Sequence, residues 1–234
     1  MTSGVPGYRP ADGHPPLHHD AYRSTALRAP AQPLVRLPHG LTEITGPSHA
    51  GEIGPNDHDL TAQHAGEPIG QRIVVSGRVL DADGRPVPGT LVEIWQANAA
   101  GRYAHPADTW SAPLDPNFSG GGRVLTDSSG SYSFTTIRPG AYPWTNHHNA
   151  WRPAHIHFSL LGRAFAQRLV TQMYFPDDPL LAHDPIAGSV PERARSRMVS
   201  TLDLDATRPE WALAYRFDIV LRGREQTPFE EPRA

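Results

Sequence analysis

Apolar positions along this chain alternate over short stretches and almost never recur at helical spacing. Arg72-Ile73-Val74-Val75-Ser76-Gly77-Arg78-Val79-Leu80 is β-branched and partly alternating, the pattern of a strand. Thr90 to Ala97 predicts a second strand, and the intervening Asp81-Ala82-Asp83-Gly84-Arg85-Pro86-Val87-Pro88-Gly89 reads as a turn region. Further strands are expected over Arg123–Thr126, Ser131–Thr136, Ala154–Leu161, Arg168–Tyr174 and Ala214–Leu221. Asp127-Ser128-Ser129-Gly130 should join two of them as a hairpin. A helix is expected between Pro191 and Val199, with Pro191 near its first turn. Many short strands, turn signals and little helix predict an all-β fold, a β-sandwich of mixed short strands with long loops.

Residues 1–68 carry little periodicity and are rich in Pro, His, Gly and Asp. The expected organisation is an extended N-terminal arm over 1–68 and a β-sandwich domain over 69–234. Leu34-Val35-Arg36-Leu37 could pin the arm, whereas residues 1–20 fit a disordered segment equally well.

Composition narrows the function classes. The 25 prolines and 21 glycines among 234 residues disfavour long helices. With no cysteine, disulfides and thiolate metal sites are excluded. A formal net charge of −3 gives no bulk attraction for nucleic acid or an anionic membrane. No apolar run approaches the roughly 20 residues of a bilayer span, and Met1-Thr2-Ser3-Gly4-Val5-Pro6-Gly7 lacks the features of a secretory signal. A cytoplasmic location is the expectation.

Candidate chemistry concentrates at His155-Ile156-His157. Strand side chains alternate, so two histidines one residue apart share a face, opposite Ile156, Phe158 and Leu160. Two imidazoles without cysteine suggest a transition metal held by nitrogen and oxygen, although a structural role for both stays open. The adjacent pairs His18-His19 and His147-His148 would diverge on a strand and are weaker candidates. Tyr142 sits in the proline-bounded Pro139-Gly140-Ala141-Tyr142-Pro143-Trp144, and Tyr103 follows Gly101-Arg102. A phenolate is a hard anionic donor that suits Fe(III) better than Zn(II) or Cu(I). A cupin would place a glutamate shortly after the second histidine, where Ser159, Leu160, Leu161 and Gly162 stand instead. A two-histidine, one-carboxylate site would want an acid at position 157.

The order Tyr103, Tyr142, Arg152, His155, His157 resembles the intradiol ring-cleaving dioxygenases. Three stretches carry the likeness: Gly77-Arg78-Val79 through Leu91–Asn98 to Tyr103; Ala112-Pro113-Leu114-Asp115-Pro116-Asn117-Phe118; and Tyr142-Pro143-Trp144 through Trp151-Arg152-Pro153-Ala154-His155-Ile156-His157-Phe158. The resemblance implies an Fe(III) centre ligated by Tyr103, Tyr142, His155 and His157, with a catechol and O2 as substrates. It further implies catalytic roles for Tyr142, Arg152 and Gln172, and a substrate pocket shaped by Trp144, Ile186 and Arg152. Trp95 is expected as nearby packing. Within the family the chain looks like the iron-bearing β chain of a two-chain enzyme that cleaves protocatechuate (3,4-dihydroxybenzoate) to 3-carboxy-cis,cis-muconate. A homologous α chain lacking the iron ligands would then be its partner, in a hetero-oligomer. Two alternatives stand beside this: a non-catalytic transthyretin-like binding or assembly module, and a dioxygenase for another catechol such as hydroxyquinol. The hydroxyquinol and catechol enzymes carry a helical N-terminal region, where this chain is proline-rich.

Overall fold

A computed structural model describes residues 13–32, 53–145, 150–162, 165–176 and 178–228. The strands are β1 (Arg72–Leu80), β2 (Leu91–Trp95), β3 (Gly121–Leu125), β4 (Ser131–Ile137), β5 (Tyr142–Trp144), β6 (Ala150–Arg152), β7 (His155–Gly162), β8 (Phe165–Tyr174), β9 (Thr201–Arg208), β10 (Ala212–Arg216) and β11 (Ile219–Val220). Among the described residues the helices are short: α1 (Thr25–Arg28), α2 (Pro185–Ser189) and α3 (Glu192–Arg195), with 3-10 turns at Leu181–His183 and Ser196–Met198. The chain is therefore all-β, as its alternation implied. The helix expected between Pro191 and Val199 is one turn of α-helix followed by a 3-10 turn, with Pro191 at its N-cap.

Two sheets face one another. In the first, β4 pairs antiparallel with β1, while β10 and β11 pair parallel with successive stretches of β1, and β9 closes the edge against β10. The strand expected over Ala214–Leu221 is interrupted between Arg216 and Ile219. There Gly77 admits the Phe217 carbonyl, which a Cβ would meet at 1.9 Å, and Tyr132 donates its hydroxyl to the same oxygen. The second sheet, β3-β2-β7-β8, is antiparallel throughout.

The core lies between the sheets. Ile73, Val75 and Val79 of β1 and Tyr132 and Phe134 of β4 meet Val92, Ile94, Ile156, Phe158, Leu160 and Met173 from the other sheet. Phe158 is central, with its ring against Tyr132, Phe134 and Phe217 at 5.2–6.0 Å. Burial of such rings is the main stabilising term. Because Ile156, Phe158 and Leu160 are committed to this layer, period two sends His155, His157 and Ser159 to the opposite face of β7. Loops cover that face, and the candidate centre lies there.

Several described residues ahead of β1 reach the sandwich. Gly13 approaches Ala194 of α3, where an added Cβ would stand 3.2 Å from the alanine Cβ. Tyr22 packs edge-on against Trp144, ring centres 5.0 Å apart. Leu60 is fully buried within the core. Leu34–Leu37 lie outside the described residues, as do residues 1–12 of the arm and the His147-His148 pair.

Candidate metal centre

His155 and His157 are placed by β7, and their neighbours by its cross-strand partners. Trp95 on β2 and Gln172 on β8 lie directly opposite His157, and Tyr174 lies opposite His155. Directly paired residues share a face. Trp95 accordingly stacks on His157, 4.8 Å between ring centres and 2° between planes. The His155 ring lies 4.8 Å from that of His157. Nδ1 of His155 is 2.7 Å from the Pro153 carbonyl oxygen, a contact only an N–H can make. That fixes the tautomer and leaves Nε2 as the free donor atom.

The tyrosines arrive from two other segments. Beyond β2, Asn98 accepts the Ala100 and Arg102 amides at 3.0 and 2.9 Å and donates to the Pro113 carbonyl. Asp108 then accepts the Tyr103 amide at 2.8 Å. This loop is tied to the chain entering β5, since the Gly140 amide donates to the Asn98 carbonyl at 2.9 Å. Tyr142 opens the β5–β6 hairpin, in which it pairs with Arg152. The two tyrosine rings lie 5.4 Å apart, and Tyr103 lies 6.4 Å from His157. Tyr142 Oη is 3.3 Å from His155 Nε2.

Two phenols and two imidazoles, from three separated stretches, thus converge. The set fits a hard trivalent cation on its own chemistry. Tyr103 Oη is buried and makes no well-formed hydrogen bond, although Tyr142 lies beside it; an orphaned buried oxygen calls for a partner. Burial raises the pKa of Tyr103, and the neighbouring Tyr142 raises it further. Burial also raises that of Tyr142, against the pull of the Arg152 cation. Burial and Arg152 together depress His155, and bring His157 down to about 3. The imidazoles are thereby neutral donors at physiological pH, whereas the phenols need a cation before they ionise. Among the described residues no three His, Cys, Asp or Glu converge on a possible metal position, so a centre here depends on phenol oxygen.

Of the other predicted residues, Arg152 pairs with Tyr142 across the hairpin and Gln172 with His157 across the sheet. Arg152 and Gln172 are buried and hydrogen-bonded to one another. The Arg152 guanidinium lies 5.4 Å from the Trp144 ring centre. Ile186 is buried in α2, whose N-cap is Asp184. Asp184 and Tyr174 complete a buried network around Arg152 that sequence reasoning did not single out. The signal for Tyr174 was available, because it shares the period-two face of β8 with Gln172. A groove of about 680 Å³ opens elsewhere, along β1, β3 and β4, lined by Arg78, Arg123, Tyr132 and Arg216. None of the tyrosine–histidine cluster lines it, and Arg123 and Arg216 are ion-paired to Asp57 and Asp218.

Comparison with known proteins gives matches over most of the chain. A dioxygenase family model matches residues 44–223, and a model of the protocatechuate 3,4-dioxygenase beta subunit N-terminal region matches residues 8–40. The chain is 59% identical over 220 residues to the protocatechuate 3,4-dioxygenase beta chain of Burkholderia cepacia, covering 93% of this chain and 94% of that one. The alpha chain from the same organism is 29% identical over 173 residues, covering 73% of this chain and 80% of that one. Hydroxyquinol 1,2-dioxygenase of a Rhizobium strain is 31% identical over 166 residues, 65% of this chain and 54% of that protein. In fold, 3-chlorocatechol 1,2-dioxygenase of Rhodococcus opacus 1CP superposes with a TM-score of 0.54 at 24% identity, over 74% of this chain and 67% of that one.

Proposed function

The chain belongs to the dioxygenase family that its sequence matches from residue 44 to 223, and we propose that it is the iron-bearing β chain of a protocatechuate 3,4-dioxygenase. The reaction inserts both atoms of O2 into protocatechuate and opens the ring between the hydroxyl-bearing carbons, giving 3-carboxy-cis,cis-muconate. The breadth of the match favours this substrate over hydroxyquinol: 93% of the chain aligns with the protocatechuate relative and 65% with the hydroxyquinol one. The observation that carries the reading is the convergence of Tyr103, Tyr142, His155 and His157, with a buried phenol oxygen that makes no well-formed hydrogen bond.

These four residues would hold Fe(III). Bound there, ferric iron would supply a Lewis acid for both catechol oxygens and a route for electron density from the ring toward O2. The protein does the remaining work. Two phenolates offset most of a trivalent charge in a buried place, which a neutral donor set could not. The Nδ1–H of His155, given to the Pro153 carbonyl, keeps Nε2 aimed inward. Trp95 stacked on His157 fixes that ring in plane.

Tyr142 is the ligand suited to exchange with substrate. It lies on a two-stranded hairpin outside the main sheets, and its oxygen would accept a proton from an incoming catechol hydroxyl. Arg152 is a permanent cation: burial opposes its charge, but Tyr174, Asp184 and Tyr142 outweigh that, and its pKa is raised. It would stabilise negative charge developing on the ring and the attacking oxygen. Gln172, bonded to Arg152, would border the O2 side. Trp144 and Ile186 would wall the ring pocket.

We further infer a cytoplasmic αβ hetero-oligomer, with residues 1–68 as the arm that engages the α chain. The similarity to both beta and alpha chains of one organism supports the pairing. No helix among the described residues is long and apolar enough to cross a membrane. Co-production with an α chain, followed by O2 uptake on protocatechuate, tests the reading. Stoichiometric O2 consumption with muconate formation is expected, and an iron-loaded complex inert toward protocatechuate would overturn it.

A further inference from the structure

Arg152 is a nearly fully buried cation, and among the described residues the carboxylate paired with it is Asp184. Side-chain exposure is 3% for Arg152 and 0% for Asp184. Arg152 Nε lies 2.8 Å from Asp184 Oδ1, an ion pair whose angle falls short of a hydrogen bond. Arg152 Nη2 donates to Asp184 Oδ2 at 3.3 Å. Two points of contact on one edge of the guanidinium stop it rotating. The same Nη2 reaches Gln172 Oε1 and, at 3.2 Å, the Tyr174 hydroxyl. Tyr174 in turn donates to Asp184 Oδ2 at 2.7 Å, with Gln172 Oε1 also within reach at 2.9 Å.

Asp184 has a second task. Its side chain accepts the Ala187 amide at 3.3 Å and caps α2, which begins at Pro185 and carries Ile186. One carboxylate therefore joins the cation beside the tyrosine–histidine cluster to the helix that carries Ile186. The guanidinium so held donates to Gln172 Oε1, which lies directly across the strands from His157.

We propose that Asp184 is a positioning residue for ring cleavage: it fixes the Arg152 guanidinium against Gln172 and ties it to the helix that carries Ile186. The proposal rests on the reading of the site as an iron-dependent ring-cleaving centre. Asp184 touches neither iron nor substrate; it acts through Arg152 and α2. Asp184→Asn keeps the shape, removes the counter-charge and frees the guanidinium to turn.

The test is a double-mutant cycle in the iron-loaded αβ complex: wild type, Asp184→Asn, Arg152→Gln and both together. Iron per β chain, the visible absorption band, kcat and KM are measured on each. A colourless, inactive wild type would sink the reading of the site and leave this inference aside. With an active wild type, Asp184→Asn should keep iron and colour while kcat falls about 10- to 100-fold, the scale for residues that orient a metal site from outside. In the Arg152→Gln background it should cost little more. The same cycle read by melting temperature of the iron-free complex should also be non-additive, since Asp184→Asn alone strands a buried cation. Unchanged kcat, a loss explained by missing iron, or losses that multiply independently would each overturn the proposal. If Asp184→Asn fails to fold, Tyr174→Phe removes the hydroxyl that links Asp184 to Arg152 Nη2 while keeping the ion pair. It should lower kcat several-fold with normal iron and without adding to Arg152→Gln; no loss, or an additive one, overturns the proposal equally.

Discussion

Gly101 is where the two tyrosine-bearing segments touch, and one methyl group there should take the centre apart. Its φ is +78°, and a Cβ would stand 2.2 Å from the Ala141 carbonyl oxygen and 3.3 Å from the Tyr142 Cβ. Close carbon–oxygen contacts normally begin near ~3.3 Å, so Gly101→Ala must push the Tyr103 loop and the β5 entry apart by about 1 Å. Left-handed backbone costs an alanine roughly 1 kcal/mol, and relieving the overlap adds ~1–3 kcal/mol. The expected destabilisation is therefore about 2–4 kcal/mol. A metal centre tolerates roughly 0.5 Å of misplacement, so iron retention should fall with it. Gly84 supplies the control: its φ is +76°, and a Cβ there meets nothing within 4 Å. Gly84→Ala should cost only the backbone part, ~1 kcal/mol, with iron and colour intact. Urea unfolding with iron analysis of both variants decides. If Gly101→Ala holds iron and stability as well as Gly84→Ala does, the assembly of the site from these two segments is wrong.

Three other outcomes follow from the same packing and electrostatics. Phe158→Ala, at the meeting of the two sheets, should lose about 3–5 kcal/mol in urea unfolding, against less than ~1 kcal/mol for the half-exposed Leu125→Ala. In the iron-free protein, buried His155 and His157 stay neutral while an unfolded chain protonates them below pH 6.5. More protons bound to the unfolded state means stability falls as pH drops from about 6.5 toward about 3; a His155→Gln, His157→Gln variant should show a shallower slope by urea midpoint, and an equal slope would contradict this. Tyr142→Phe should retain part of the iron yet slow turnover, because the exchangeable proton acceptor is gone; stopped-flow rates equal to wild type would refute that role.

The sandwich was legible because its strands are short, β-branched and punctuated by Gly and Pro. The same alternation put His155 and His157 on one face, since Ile156, Phe158 and Leu160 had to fill the core. What stayed hidden depends on tertiary context. β9, Thr201–Arg208, is largely exposed and carries Leu, Asp and Thr in a pattern that no buried face dictates. The β5–β6 hairpin is three residues a side, too short for periodicity, and Pro143 disguises it as a loop. At the candidate centre, the family resemblance pointed to Tyr103, Tyr142, Arg152 and Gln172. Asp184 escaped notice because a lone Asp-Pro reads as a helix cap, and its ion pair joins residues 32 positions apart.

The most direct test of the four-residue cage is the visible spectrum and iron content of the αβ complex, for wild type beside His155→Ala and Tyr103→Phe. One iron per β chain and a red-brown phenolate-to-iron band are expected in the wild type, the band shifting on anaerobic addition of protocatechuate, with His155→Ala losing the metal and Tyr103→Phe losing much of the band. A wild-type complex that binds iron yet stays colourless, or variants that keep its full spectrum, would contradict the account.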